Sequence, residues 1–241
     1  MKFKFTVLGC GSSLGIPRID GYFGQCNPKN KKNFRSRCSA LVSIDDFNIL
    51  IDTSPDLKNQ LLYNKIKNIN KVFYTHYHAD QTHGINELRV FYLKNKKKIP
   101  VYADKNTKKF LLNSFKYCFK KNADDYPPIL ELNDLKLRHT ISYNNKKIFF
   151  KSVTVRHGSI NSIAYIINNK CAYIPDANEI YNKDINLFKN LDFLVIDCLR
   201  YKYHPSHFTL NEILELIKEI KPKKTILTNL NNEIDYSSIK K

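Results

Sequence analysis

Apolar residues in this chain recur mostly in short runs, either alternating with polar positions or unbroken over four or five residues, as strands require. Strands are predicted at Lys4–Leu8, Ser39–Ile44, Asn48–Ile51, Lys71–Tyr74, Pro100–Tyr102, Ile148–Val155, Ile163–Ile167, Cys171–Ile174, Phe193–Ile196 and Thr225–Leu227. Helical spacing is rarer. "TSPDLKNQLL" opens a helix with Ser54 as cap and Pro55 in the first turn. A second helix begins after Gly84, with Ile85, Leu88 and Tyr92 on one face. The clearest is "TLNEILELIKEI", where Thr209 and Glu212 form a capping box and Ile213, Leu216 and Ile217 form the stripe. No repeat or Pro/Gly-rich linker divides the sequence, so residues 1–241 read as a single domain. Many strands with few helices between them predict two packed sheets under outer helices.

Composition changes that picture little. The 241 residues are 42% hydrophobic and 12% aromatic, which suits a globular chain able to bury a core. "MKFKFTVLG" reads as a strand rather than a signal peptide, and no run approaches a membrane span, so a cytoplasmic protein is expected. The cysteines at 10, 26, 38, 118, 171 and 198 form no CxxC pair and read as reduced thiols. The net charge of +18 invites a nucleic-acid reading. Lysine, asparagine and isoleucine are all abundant, however, and the densest basic runs look like solvated loops. Compositional drift, together with a general attraction to anionic substrates, is therefore the favoured meaning of the charge, with a dedicated nucleic-acid surface the lesser alternative.

The chemistry is concentrated where strands end. "NILID" ends in Asp52, "KVFYT" runs into His76, His78 and Asp80, "SVTVRH" ends in His157, "AYIPD" in Asp176, and "TILTN" in Asn229. Loops converge at strand ends to build sites. Imidazole and carboxylate suit a borderline cation such as zinc, which holds a water at an open position and lowers its pKa from about 16 to about 7.

These blocks resemble the metallo-β-lactamase superfamily of metal-dependent hydrolases. "LGCGSSLGIPR" looks like the Gly-rich first loop. "RSRCSALV", "ILIDTSPDLKNQLL", "HADQTHGINELR", "DCLRYKYHPSHFTL" and "TNLNNEIDY" are similar to one branch, that of the phosphoribosyl 1,2-cyclic phosphate phosphodiesterases, with tRNase Z more distant. The resemblance implies an α+β fold, the four-layer αββα sandwich. By matched position it implies that His76, His78 and His157 hold a first metal, expected to be Zn²⁺. Asp176 would bridge two metals, Asp80 would serve the second, and Asp52 would orient ligands from behind. His207 matches the general acid and is preferred to His204.

Two positions depart from the family pattern. Gln81 and Asn229 stand where the resemblance would place the two histidines of the second metal. The second site would then be empty. Alternatively it would be built from Asp80, Asp176 and the carbonyls of Gln81 and Asn229, taking Mn²⁺ or Mg²⁺. A third reading keeps the fold as a non-catalytic scaffold. The enzyme is favoured, because a chain that had abandoned chemistry would have little reason to keep His157, Asp176 and His207 beside a complete HxHxD. The expected activity is a phosphodiesterase on a small cyclic or diester phosphate, through a metal-held hydroxide. The runner-up is a tRNase Z-like nuclease on RNA or single-stranded DNA. A homodimer is compatible with either reading.

Some relatives carry a structural zinc on cysteines in the first long loop. Here only Cys26 remains, so that zinc is expected to be absent. The chain ends at "YSSIKK", earlier than the branch leads one to expect, so either a final strand is missing or the sequence is shortened. His83 is a possible substitute ligand, Arg89 is a site or surface residue, and His139 and Cys198 are read as structural.

Overall fold

The computed structural model describes residues 3–121 and 126–239. The chain gathers into two compact units, Met1–Leu8 with Ser39–Lys136, and Gly9–Cys38 with Leu137–Lys241. Each carries one six-stranded sheet.

The first sheet runs β1 (Lys4–Gly9), β2 (Ser39–Ile44), β3 (Phe47–Ile51), β4 (Lys71–Phe73), β5 (Ile99–Ala103) and β6 (Leu130–Asp134), in sequence order across the sheet. β2 and β3 pair as an antiparallel hairpin, whereas β3 to β6 are mutually parallel. Parallel neighbours need crossovers. These are supplied by α1 (Leu57–Tyr63), by α2 (Ala79–Thr82) and α3 (Arg89–Asn95), and by α4 (Lys105–Ser114) and α5 (Lys116–Phe119). Leu41, Leu50, Val72, Tyr74, Val101, Leu57, Leu88 and Leu111 are buried in one cluster.

The second sheet has the order β12-β11-β10-β9-β8-β7. Its strands are β7 (Arg138–Tyr143), β8 (Lys146–His157), β9 (Ile160–Ile167), β10 (Cys171–Ile174), β11 (Phe193–Asp197) and β12 (Lys224–Thr228). β7 to β10 form an antiparallel meander, and β10, β11 and β12 are parallel. The turns Asn144–Asn145 and Asn168–Asn169 each hold two consecutive residues at positive φ, the geometry of a two-residue hairpin that asparagine tolerates. α6 (Leu210–Ile220) closes this core with Ile213 and Ile220, and α7 (Tyr236–Ile239) follows. Its capping box is formed as expected, worth about 1 kcal/mol. Burial of Ile213 alone is worth about 2 kcal/mol, so packing more than capping fixes the helix.

The ten predicted strands are all present, with ends shifted by up to three residues. β6, β7 and α4 were not predicted. α1 starts later than expected, because Ser54 accepts the amide of Asp56 in a turn before the helix rather than capping it.

The Gly9–Cys38 segment contains little regular structure, and the end of the chain pins it. Asp235 accepts from the Asn27 amide at 2.8 Å, from Asn33 Nδ2 at 2.6 Å and from the Ser237 amide at 2.7 Å. Asn33 in turn accepts from Arg35 Nη2 and the Tyr236 amide. Cys26 donates to the Ile234 carbonyl at 3.3 Å. All six cysteines are free thiols. The amides of Asn27 and Ser237, with Asn33, hold the Asp235 carboxyl down at about 2. A lowered folded-state value means the interaction contributes above the unfolded value near 4 and is lost as pH falls toward 2. Asp235→Ala should therefore lower Tm by about 2–4 °C at pH 7. The gap from wild type should narrow steadily below pH 4, as read by thermal melts across that range.

Candidate metal and acid–base site

Parallel pairing sends the carboxyl ends of neighbouring strands to one sheet edge, and the predicted residues lie there in each unit. In the first unit, Asp52 follows β3 and His76 follows β4, whose register aligns Ile51 with Phe73. Asp52 is fully buried with φ of +62°, a strained conformation of the kind that clusters at functional sites. Its carboxylate accepts from the Thr75 amide at 2.7 Å and from the Thr75 hydroxyl at 2.9 Å. Burial pushes the Asp52 carboxyl well above the usual range, and the two Thr75 hydrogen bonds pull against it.

That arrangement bears on a tautomer. With Asp52 ionised, the Thr75 hydroxyl donates to it and accepts from His76 Nδ1, 3.1 Å away. His76 therefore carries its proton on Nδ1 and presents a lone pair at Nε2. His76 Nε2 lies 3.0 Å from His78 Nδ1. Two nitrogens bound to one tetrahedral zinc stand about 3.4 Å apart, so the pair is close to ligand spacing. Asp52 thus acts on His76 through Thr75, a residue the sequence reading missed. Its only signal was a hydroxyl immediately before the HxHxD motif.

Asp80 and Gln81 lie in the short α2, which His78 caps and Ala79 begins. Gln81 Nε2 donates to Asp80 Oδ2 at 3.1 Å. The turn is locked to the loop after β3, because the Thr53 amide donates to the Gln81 carbonyl and the Gly84 amide donates to the Thr53 carbonyl. A Cβ on Gly84 would sit 2.0 Å from the Ser54 carbonyl oxygen, so only glycine fits this close approach. His83 is exposed and packs edge-on against Phe115, with its Nδ1 3.1 Å from the Thr82 hydroxyl. Arg89 lies over the Tyr126 ring.

In the second unit, β8, β10, β11 and β12 all end on one edge, bringing together His157, Asp176, Asp197 and Asn229. His157 donates from Nδ1 to the Ser206 carbonyl at 2.7 Å, which leaves Nε2 as the lone pair. Candidate ligand atoms of His157, Asp176 and His207 all lie within 4.8 Å of one another. His207 Nδ1 is 2.7 Å from Asp197 Oδ2, so the ring donates there and presents Nε2. His204, the alternative acid, lies 5.0 Å from His207 centroid to centroid and is tied through Nδ1 to Ser206. Asp197 is the second functional residue that sequence reasoning missed. "FLVID" ends in an acid just as "NILID" does, and that was the available signal. Burial pushes the Asp197 carboxyl up to about 6, against the opposing pull of His207. Cys198 beside it is buried, its thiol pushed up to about 12, as suits a structural cysteine.

Asn229, at φ of +59°, donates from Nδ2 to Asp176 Oδ1 at 3.0 Å. The same Nδ2 lies 3.2 Å from His207 Nδ1. One reading of the sequence put the carbonyls of Gln81 and Asn229 on a second metal. Both amide nitrogens donate to carboxylates, and the Gln81 carbonyl oxygen is buried without a hydrogen bond.

Residues 47–228 match the β-lactamase superfamily domain. The octanoyltransferase of Porphyromonas gingivalis (strain ATCC BAA-308 / W83) is 29% identical over 231 residues, 95% of this chain. This chain spans only 46% of that protein. Among solved structures, a diphosphatase of the PhnP family is 29% identical with a TM-score of 0.87, over 98% of this chain and 90% of that one. The short form of human tRNase Z is 17% identical with a TM-score of 0.69, over 95% of this chain and 93% of that one, a likeness of fold alone. The expected α+β fold class is thereby established. The chain belongs to the β-lactamase superfamily domain family and has the metallo-β-lactamase fold.

Proposed function

We propose that this protein is a hydrolase of phosphoric diesters or diphosphates that works with one zinc ion, held by His76, His78 and His157. The observation carrying this reading is the preset tautomer of its histidines. Thr75 ties Nδ1 of His76 and the Ser206 carbonyl ties Nδ1 of His157, so both offer Nε2 lone pairs. Three imidazoles suit zinc, which when bound supplies a Lewis acid able to lower a water pKa to about 7. The diphosphatase relative and the +18 charge support an anionic phosphorus substrate.

The chain's own groups would move the protons. Asp80, half-buried after His78, takes a proton from the attacking water as oxygen adds to phosphorus. His207, as imidazolium, gives its Nε2 proton to the alkoxide or phosphate that departs as the P–O bond breaks. The Asp197 carboxylate supports that imidazolium and fixes its orientation, as a buried partner acid does. Asp52 acts behind His76.

A second metal fits poorly. Gln81 and Asn229 offer neutral amides in place of imidazoles, and their nitrogens already serve Asp80 and Asp176. This favours an empty second site over the Mn²⁺ or Mg²⁺ reading.

The nuclease is the second reading, supported by the net charge and the tRNase Z fold likeness. A substrate panel separates the readings: bis-nitrophenyl phosphate, a ribose cyclic phosphate, a diphosphate diester, single-stranded RNA and an octanoyl thioester. Preferential turnover of RNA or of the thioester would overturn the small-phosphate reading.

Protein purified without chelator should contain about one zinc per chain. Gln81→His with Asn229→His should raise the count to two, since histidine tolerates the positive φ at 229. A preparation with no metal, unresponsive to added Zn²⁺ or Mn²⁺, would sink the enzyme reading. His207→Ala should slow poor leaving groups by about 10²–10⁴-fold and nitrophenyl esters far less. Equal losses on both would refute the acid role.

A further inference from the structure

The loop that joins β11 to α6 carries His204 and His207, yet its first stretch, "RYKY" at residues 200–203, takes no part in the acid–base chemistry. Tyr203 leaves 73% of its surface exposed and Tyr201 41%. The loop that presents them is closed at its base, where the Leu199 amide donates to the Phe208 carbonyl and the Leu210 amide to the Arg200 carbonyl. Arg200 braces it from within, donating to the carbonyl of Lys202 at 3.2 Å and of Tyr203 at 2.8 Å. No carboxylate pairs with Arg200 among the described residues. Its charge is therefore not neutralised by an ion pair. Tyr201 is anchored by its hydroxyl, 3.3 Å from Ser238 Oγ.

We infer that Tyr203, with Tyr201 and the charge of Arg200, is a platform for a nucleobase, and that the substrate is a nucleoside-bearing phosphate or diphosphate ester. The inference rests on the phosphate reading above and narrows its substrate. Exposed tyrosines alternating with cations match what a base and its phosphate require, a flat ring to stack upon and positive charge beside it. Tyr203 is one residue from His204, whose ring touches that of His207. A base on Tyr203 thus belongs to the same loop as the group assigned to the leaving oxygen. A stretch of four residues matches one nucleoside rather than a polymer, since proteins that hold long single strands repeat such platforms along a groove.

The test compares AMP with ribose 5-phosphate, which share the phosphate and sugar and differ in the base. Binding to the zinc-loaded full chain is measured by calorimetry. AMP should bind about tenfold more tightly or better, the usual scale of one stacked base. Tyr203→Ala should bring the ratio close to one, and Tyr203→Phe should restore it. Equal affinity of wild type for the two ligands would overturn the inference, as would an unaltered ratio in Tyr203→Ala. If bis-nitrophenyl phosphate is still hydrolysed in that case, only the base platform falls. If neither ligand binds and no phosphate ester is turned over, the phosphate reading falls with it. A single-stranded oligonucleotide binding several hundredfold tighter than AMP, with steep salt dependence, would overturn the single-nucleoside form in favour of a polymer.

Discussion

An imidazole can offer a lone pair to a cation only if its other nitrogen is held by an acceptor, and much of this structure follows from meeting that condition. His76 meets it through the Thr75 hydroxyl, which can accept because its own proton goes to the buried carboxylate of Asp52. His157 meets it through a backbone carbonyl on the loop before α6. His207, the acid rather than a ligand, is oriented in the same way by Asp197. Thr75 and Asp197 stand where apolar strands stop. The parallel registers of β3 with β4, and of β10 with β11 and β12, achieve this by carrying strand ends to one edge of each sheet. The site therefore depends on sheet register, and a one-residue slip in any of these strands would turn its terminal polar group away.

The cost of that placement is visible in the backbone. Asp52 and Asn229 both sit at positive φ where their strands turn out of the sheet. Residues so held cost about 1–3 kcal/mol unless the side chain accepts the conformation easily, as Asn and Asp do better than most. Gly84 meets a related demand in another way, letting the turn after the HxHxD motif approach the loop after β3 to a distance that no side chain permits.

Much of this was legible in the sequence, and what was hidden has identifiable causes. Strand ends carrying Asp52, His76, His157, Asp176 and Asn229 could be read directly, because a polar ligand type ending an apolar run is a local signal. Asp197 ended such a run too, but the cysteine after it drew attention to the thiol. Thr75 was invisible because a hydroxyl acting as a relay has no distinctive spacing. β7 escaped although Asn144–Asn145 stood between "HTISY" and "KIFF", a two-residue hairpin signal. β6 escaped because "LELND" is short, polar and poor in β-branched residues. The orientation of the Gln81 and Asn229 amides is a tertiary fact, since sequence names the side chain but not which end meets its neighbour.

That orientation bears on how the two departures from the family pattern fit together. Removing two imidazoles from a metal site, with nothing in exchange, would leave Asp80 and Asp176 without the positive charge that justified their burial. An isolated carboxylate out of water is costly, and hydrogen bonds from neutral donors offset about 1.5–3 kcal/mol each when the acceptor is charged. Gln81 gives such a bond to Asp80, and Asn229 gives one to Asp176, which is 2% exposed. Residues incapable of donating would fill the same space and leave the carboxylates to protonate or swing away. The two amides are therefore not simply lost ligands. Each donates a hydrogen bond to a neighbouring carboxylate, Gln81 to Asp80 and Asn229 to Asp176.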